Sequence, residues 1–278
     1  MRPLRFDPSL TIVRQPYYLC RMQEIIVIGA GNLAWHLVQV LQRQEYEVAL
    51  ASRNPERVAS WPVRVIRLAD IPVNPLLVFL AVPDNAIDTV SAELSLQLPP
   101  TVPIVHTSGA TPISRINEYF QARGALWPIR SLRQGESVAD WNDLPLVYYS
   151  DKQALTQVLG ELSKKLSNQV FTLNDGQRAQ LHLAAVFSNN FVTWMYQISH
   201  ELCAEQDIPF ATLLPIIKNT ALKQDGTAPK KTQTGAAARG DTVTMDRHLS
   251  LLDKHPDYAQ LYRTISQLIE QGIKDQPE

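Results

Sequence analysis

Only two cysteines occur in 278 residues, Cys20 and Cys203, far apart and with no CxxC pair, so neither a disulfide framework nor a zinc site is expected. That usage fits a reducing, cytoplasmic location. Charge of one sign is also missing: 26 basic residues stand against 27 acidic ones. The longest basic clusters are the pairs Lys164-Lys165 and Lys230-Lys231, which argues against a nucleic-acid partner. Long apolar runs are absent too. The run Leu76 to Val82 falls far short of the roughly 20 residues that span a bilayer, so no membrane partner is expected. His36, His200, His248 and His255 show no H-E-x-x-H or paired-ligand spacing, and no metal is expected. No G-x-S-x-G elbow surrounds Ser108, which argues against a hydrolase.

What remains is an ordinary globular composition, 45% hydrophobic and 19% charged, in a chain long enough for two domains. Residues 1–23 carry Arg2, Arg5, Asp7 and Arg14 without the apolar core of a secretory signal, and read as an N-terminal arm outside the fold, with an artefact of start-site choice before Met22 the alternative. From Glu24 onward, short apolar β-rich runs alternate with amphipathic stretches, the pattern of βαβ units feeding a parallel sheet. Strands are expected at Ile25–Ile28, Val48–Ala51, Val63–Leu68, Leu76–Val82, Ile104–His106 and Ala125–Trp127. Helices are expected over Asn32–Gln44, Asn85–Leu98 and Pro112–Arg123. A further unit, Leu146–Tyr149, Lys152–Leu166 and Val170–Leu173, extends the sheet or forms its edge. After Leu173 the alternation stops, and Asn174 with Gln177 offers a capping box at the head of a helical half. The reading is therefore α/β: a doubly wound, mostly parallel sheet over 24–173, then an all-α domain over 174–278. Helical runs in that half are expected over Arg178–Glu205, Phe210–Lys223 and Val243–Ile273, interrupted by a polar stretch at Gln224–Gly240.

Chemistry points first to the strand Ile25–Ile28, which runs into Gly29-Ala30-Gly31-Asn32-Leu33-Ala34, a G-x-G-x-x-A turn, and then a helix. Gly29 permits the tight turn, Gly31 lets backbone approach a pyrophosphate, and Ala34 lets the helix sit against the strand. The following helix N-terminus adds amide donors for phosphate. An NAD site places an acid at the end of the second strand, whereas this one ends Ser52-Arg53-Asn54. Arg53 with Ser52 suits a 2′-phosphate, so NADP(H) is the expected cofactor, with Arg53 as a plain surface residue the alternative. Ala81, Val82 and Pro83 end the fourth strand at the ligand-binding edge. Asp84 after them reads equally as a helix cap or as part of that edge.

These residues resemble a family of NADP oxidoreductase-like proteins that pair a Rossmann-like domain with a C-terminal DUF2520 domain. The family is similar to pyrroline-5-carboxylate reductase and the 6-phosphogluconate/β-hydroxyacid dehydrogenase superfamily. Besides the glycine turn, the resemblance rests on His106-Thr107-Ser108-Gly109-Ala110, His182-Leu183-Ala184-Ala185 with Ser188-Asn189-Asn190, and Thr234 through Asp241 followed by His248. The chain departs from it at Trp127-Pro128-Ile129, where the family reads His-Pro-Leu, and at Ala236, where it has Pro.

The resemblance implies hydride transfer between a nicotinamide and a small carbonyl, imine or hydroxy acid; a non-catalytic NADP(H)-binding sensor or scaffold is the alternative. His182, of the residue type that titrates near neutrality, and Asn189, seven residues on along a helix, are the expected proton donor and its companion. A purely structural His182 stays open beside that role. His106, Ser108 and Gly109 are expected at the substrate, and Arg239 as a clamp for its carboxylate, with a surface pairing to Asp241 as the alternative. The apolar stretches Leu181 to Ile198 and Phe210 to Ile217 point to a homodimer through the helical half, with packing of these faces on the first domain alone the alternative.

Overall fold

A computed structural model describes residues 24–135, 141–224 and 228–274; the arm expected over 1–23 lies outside the described residues. Strands β1 (Ile25–Ile28), β2 (Val48–Ser52), β3 (Arg64–Arg67), β4 (Leu77–Leu80), β5 (Ile104–His106), β6 (Arg123–Pro128), β7 (Leu146–Ser150) and β8 (Val170–Thr172) form one sheet. Their spatial order is β3-β2-β1-β4-β5-β6-β7-β8. Every pair is parallel except β6 with β7. The doubly wound, mostly parallel sheet is thus the one the alternation implies. β7 and β8 run against the other strands, and β8 is the edge. The order reverses at β1, where Ile25 stands opposite Val48 of β2 on one side and Leu77 of β4 on the other.

Successive side chains of β1 point to opposite faces, and each face is covered. Ile25 and Val27 pack in one core with Leu37 and Leu41 of α1 (Asn32–Arg43) and with Leu155 and Leu159 of α3 (Gln153–Leu166). Ile26 and Ile28 pack in the other with Ile87, Val90 and Leu94 of α2 (Ile87–Ser95). These three- and four-residue spacings are why the segments fold as helices against the sheet, and each fully buried leucine contributes about 1.5–3 kcal/mol.

The helix expected over Pro112–Arg123 does not form. One 3-10 turn, Ile113–Arg115, is followed by extended backbone at Ile116. Competing partners take the amides: Asn117 donates to Ser91 Oγ at 2.9 Å, and Tyr119 donates to Asn117 Oδ1 at 3.0 Å. Ile116 and Phe120 mimic helical spacing because both reach the core from a loop.

Helix α4 (Asp175–Ala185) starts at the expected capping box: Gln177 N–H donates to Asn174 Oδ1 and Asn174 N–H to Gln177 Oε1, both at 3.0 Å. The described residues divide into two compact units between Val186 and Phe187, so α4 belongs with the sheet, one helix beyond the boundary expected after Leu173. The single run expected over 178–205 is interrupted by a π turn, Val186–Phe191, before α5 (Val192–Ala204).

The second unit contains α5, α6 (Leu214–Leu222), α7 (Ala236–Arg239), α8 (Thr242–Leu251) and α9 (Pro256–Lys274). The run expected over 243–273 breaks because Pro256 starts a new helix and disfavours helical backbone at His255. Tyr258 of α9 donates to Glu201 of α5, and His248 Nδ1 of α8 lies 2.9 Å from the Tyr262 hydroxyl of α9. Among the described residues of this unit, Leu252 and Ala259 are its buried apolar side chains, whereas Phe187, Trp194, Ile216, Leu222 and Leu268 are exposed.

Candidate functional site

A cleft of about 520 Å³ opens at the carboxyl edge of the sheet, over the point where β1 lies between β2 and β4. All three expected cofactor segments line it: Gly29–Leu33, Ser52–Asn54 and Ala81–Pro83. The two glycines of the turn serve different ends. Gly29 has φ +143°, and a Cβ there would lie 2.2 Å from the Ala81 carbonyl oxygen, so the fold itself requires glycine. Gly31 has extended backbone, and a Cβ on it would meet nothing within 4 Å. Its open flank lies in the cleft, and no neighbour among the described residues accounts for the missing side chain.

Gly31 is also the N-cap of α1 and offers no side-chain cap, which leaves the first-turn amides for another acceptor. Asn32 lines the cleft, but its Oδ1 accepts the Gln134 amide at 3.1 Å and so anchors that loop. The loop is held a second time by His36, whose Nε2 lies 2.8 Å from the Arg133 carbonyl. At the β2 end, Ser52 Oγ accepts the Asn54 amide at 3.2 Å, and Arg53 is exposed at the mouth. Arg57, one turn on, lines the same mouth. Neither guanidinium pairs with a carboxylate among the described residues. Sequence reading missed Arg57 because it lies outside the strand-end signature.

On the β4 side, Asp84 follows Pro83 and is not a cap: its Oδ2 accepts the Ser108 hydroxyl at 2.7 Å. Ser108 Oγ in turn accepts the amides of Ala110 and Thr111 at 3.2 and 3.0 Å. Ser108 was expected to offer its hydroxyl to a substrate, but that proton is committed to Asp84, and its own amide donates to His106 Nδ1 at 3.2 Å. His106 corrects the same expectation. Its ring is wholly buried and contributes no surface to the cleft. Burial, with the charge of nearby Arg178, lowers its imidazole from 6.5 to about 3, so it is a neutral structural group at ordinary pH.

Beyond Ser108 the chain descends alongside α4, which runs the opposite way. Asp175 Oδ2 accepts the Ile113 amide at 3.1 Å. Arg178, wholly buried, donates to the Thr111 carbonyl and pairs with Asp175 at 2.8 Å. One turn further, His182 reaches Gly109, where its ring and that of Trp127 lie 5.4 Å apart. A Cβ on Gly109 would fall 2.5 Å from His182 Cδ2, so Gly109 is the floor against which both rings rest. α4 thus carries His182 to the residue next to Ser108, at the β4–β5 side of the cleft. Sequence reading assigns no role to Arg178, because a lone arginine on a polar helix start looks solvated, and marks Trp127 only as a strand end and a departure from the family's His-Pro-Leu.

Asn189 and Arg239 belong to the second unit. Asn189 lies within the π turn, so the regular spacing on which its shared face with His182 was argued does not hold. Arg239 ends α7 beside Gly240, which takes the left-handed conformation at φ +64°. Asp241 caps α8 by accepting the Thr244 amide at 3.0 Å. Arg239 is not held firmly by that turn: its side chain is 65% exposed and 3.8 Å from Asp241. Among the described residues no cluster of His, Cys, Asp or Glu is placed to hold a metal ion, and no helix is long and apolar enough to cross a membrane.

Sheet order, glycine turn and cleft together define a Rossmann-like dinucleotide-binding architecture followed by a helical region. Residues 146–269 match the family model described as Domain of unknown function (DUF2520). No curated protein sequence matches the chain. A candidate NADP oxidoreductase from Bacteroides fragilis is similar at 29% identity and TM-score 0.82, over 90% of this chain and 98% of that one. An imine reductase from Myxococcus stipitatus in complex with NADP+ shares the fold at 14% identity and TM-score 0.64, over 90% and 94% of the two chains. A reductive aminase from Aspergillus terreus in complex with NADPH4, cyclohexanone and allyl amine does so at 12% and 0.62, over 91% and 94%.

Proposed function

We propose that the protein is an NADP(H)-dependent oxidoreductase that transfers a hydride between nicotinamide and a small carbonyl, imine or hydroxy-acid substrate. The make-up of the cleft carries this reading. Gly31 leaves a side-chain space that the fold does not fill, and Arg53 with Arg57 stands where an NAD site has an acid. Gly29–Leu33 and the first amides of α1 would hold the pyrophosphate, Arg53, Arg57 and the Ser52 hydroxyl the 2′-phosphate, and the Ala81–Pro83 backbone the nicotinamide side. The activities named for the similar structures, an NADP oxidoreductase, an imine reductase and a reductive aminase, are of this kind.

The bound cofactor supplies the hydride, and the protein's own groups orient the substrate and move a proton. In this reading His182 gives the proton, Gly109 and Trp127 fix its direction, and Asn189 and Arg239 contact the substrate. The exposed apolar side chains of the second unit support association of two copies through it, and the two cysteines, far apart in the sequence, suit a cytoplasmic location. Light scattering should give twice 31.3 kDa, and a monomer mass at micromolar concentration would remove the dimer. NADPH absorbance over a panel of imines, keto acids and aldehydes tests the activity itself. Turnover with one class is expected; cofactor binding without turnover on any would replace the enzyme with a sensor.

A further inference from the structure

We infer that Asp84 is the recognition group for the nicotinamide half of the cofactor, its carboxylate accepting hydrogen bonds from the vicinal hydroxyls of that ribose, with Ser108 as a positioning residue. This rests on the dinucleotide reading above. β2 and β4 flank β1 on opposite sides, so a dinucleotide lying over the Gly29–Gly31 turn puts its adenosine half at β2 and its other half at β4. Asp84 stands at the β4 end and, among the described residues, is the one carboxylate lining the cleft.

A carboxylate is out of place in a cleft built for phosphates unless the ligand brings donors to it. Asp84 cannot turn away, because Ser108 donates to Oδ2 at 2.7 Å and is itself fixed by the amides of Ala110 and Thr111. No protein donor among the described residues takes the other oxygen, Oδ1. A vicinal diol matches what is left: two hydroxyl donors, no charge, and a reach set by the ribose. The cleft is then polar along its length, with the cations Arg53 and Arg57 at one end for a phosphate and an anion at the other for a diol. That asymmetry fixes which way round the dinucleotide lies.

The test compares two probes on the full-length protein: NADPH, and adenosine 2′,5′-bisphosphate, which lacks the nicotinamide half. Calorimetric titration of Asp84→Ala should show NADPH affinity falling about ten- to hundredfold, the range for hydrogen bonds to a charged group, with bisphosphate affinity unchanged. Asp84→Asn keeps the shape and loses the charge; it should show a smaller loss of the same selectivity, and it is the variant to read if alanine prevents folding. Ser108→Ala should also weaken NADPH alone. Equal losses on both probes, or unchanged NADPH binding in Asp84→Ala and Asp84→Asn, would overturn the assignment. A wild type that binds neither probe would overturn the dinucleotide reading itself, and this inference with it.

Discussion

Trp127 and His182 converge on Gly109 from opposite elements, their ring centroids 5.4 Å apart and their planes inclined by 51°. A methyl group on Gly109 would come within 2.6 Å of Trp127 Cε2 as well as 2.5 Å of His182 Cδ2, and neither contact is with the loose end of a flexible chain. Gly109→Ala is therefore expected to cost about 1–3 kcal/mol as overpacking and to displace His182. Denaturant unfolding measures the first effect. Unaltered stability would mean that the rings yield freely.

His182→Ala separates chemistry from binding. In single-turnover experiments the hydride-transfer step should slow by about a hundredfold or more, the usual contribution of a positioned acid or base, while NADPH affinity holds. A variant that loses stability but keeps its rate would leave His182 a packing residue.

The turn glycines should respond differently to the same change. Gly29→Ala forces a side chain onto the Ala81 carbonyl at a positive φ, and should destabilise the sheet. Gly31→Ala meets no atom of the described residues, so its melting temperature should match wild type while NADPH affinity falls. Thermal unfolding with and without NADPH distinguishes the two; retained NADPH affinity in Gly31→Ala would mean no ligand backs onto that residue.

Arg53→Ala is expected to lower NADPH affinity about ten- to hundredfold and leave NADH affinity near its starting value. Arg57→Ala should do the same to a smaller degree. An unchanged ratio of the two affinities in the double variant would shift the preference elsewhere.

His106 sets an acid limit on stability. Burial, with Arg178, holds its imidazole at about 3 against an ordinary 6.5, and the carboxylate of Asp84 opposes this only in part. Between those values the unfolded chain binds a proton that the native protein does not, so native stability falls as pH drops through that window and levels off below it. The slope from this one group reaches about 1.4 kcal/mol per pH unit. His106→Asn should flatten that limb in urea titrations across the window; parallel curves for variant and wild type would assign the acid sensitivity to other groups.

Local features were legible in the sequence. The strand-turn-helix at Ile25–Ala34 announces itself within ten residues, the capping box at Asn174 within four, and the three segments that line the cleft follow from strand ends. What stayed hidden depends on partners far along the chain. Ser108 meets Asp84 from 24 residues away and Thr111 meets Arg178 from 67, and no periodicity reports such pairs. The false helix over Pro112–Arg123 has the same origin: Ile116 and Phe120 are apolar because of the core they enter, and Ser91 supplies the hydrogen bond that keeps their backbone from coiling.

The reversal between β6 and β7 means that β8 delivers the chain to the edge of the sheet opposite the cleft. Helix α4 must then climb back along the 109–113 segment, with Asp175 beside Ile113, Arg178 beside Thr111 and His182 beside Gly109. It works as a ruler whose zero is Asp175 and whose mark is His182. Inserting one residue between Arg178 and His182 would rotate the imidazole by about 100° and advance it about 1.5 Å, taking it off Gly109 even though every residue of the cleft stayed in place. Inserting a whole turn would restore its direction but carry it about 5 Å past the floor. The number of residues from Asp175 to His182 is therefore as much a part of the proposed site as the histidine itself.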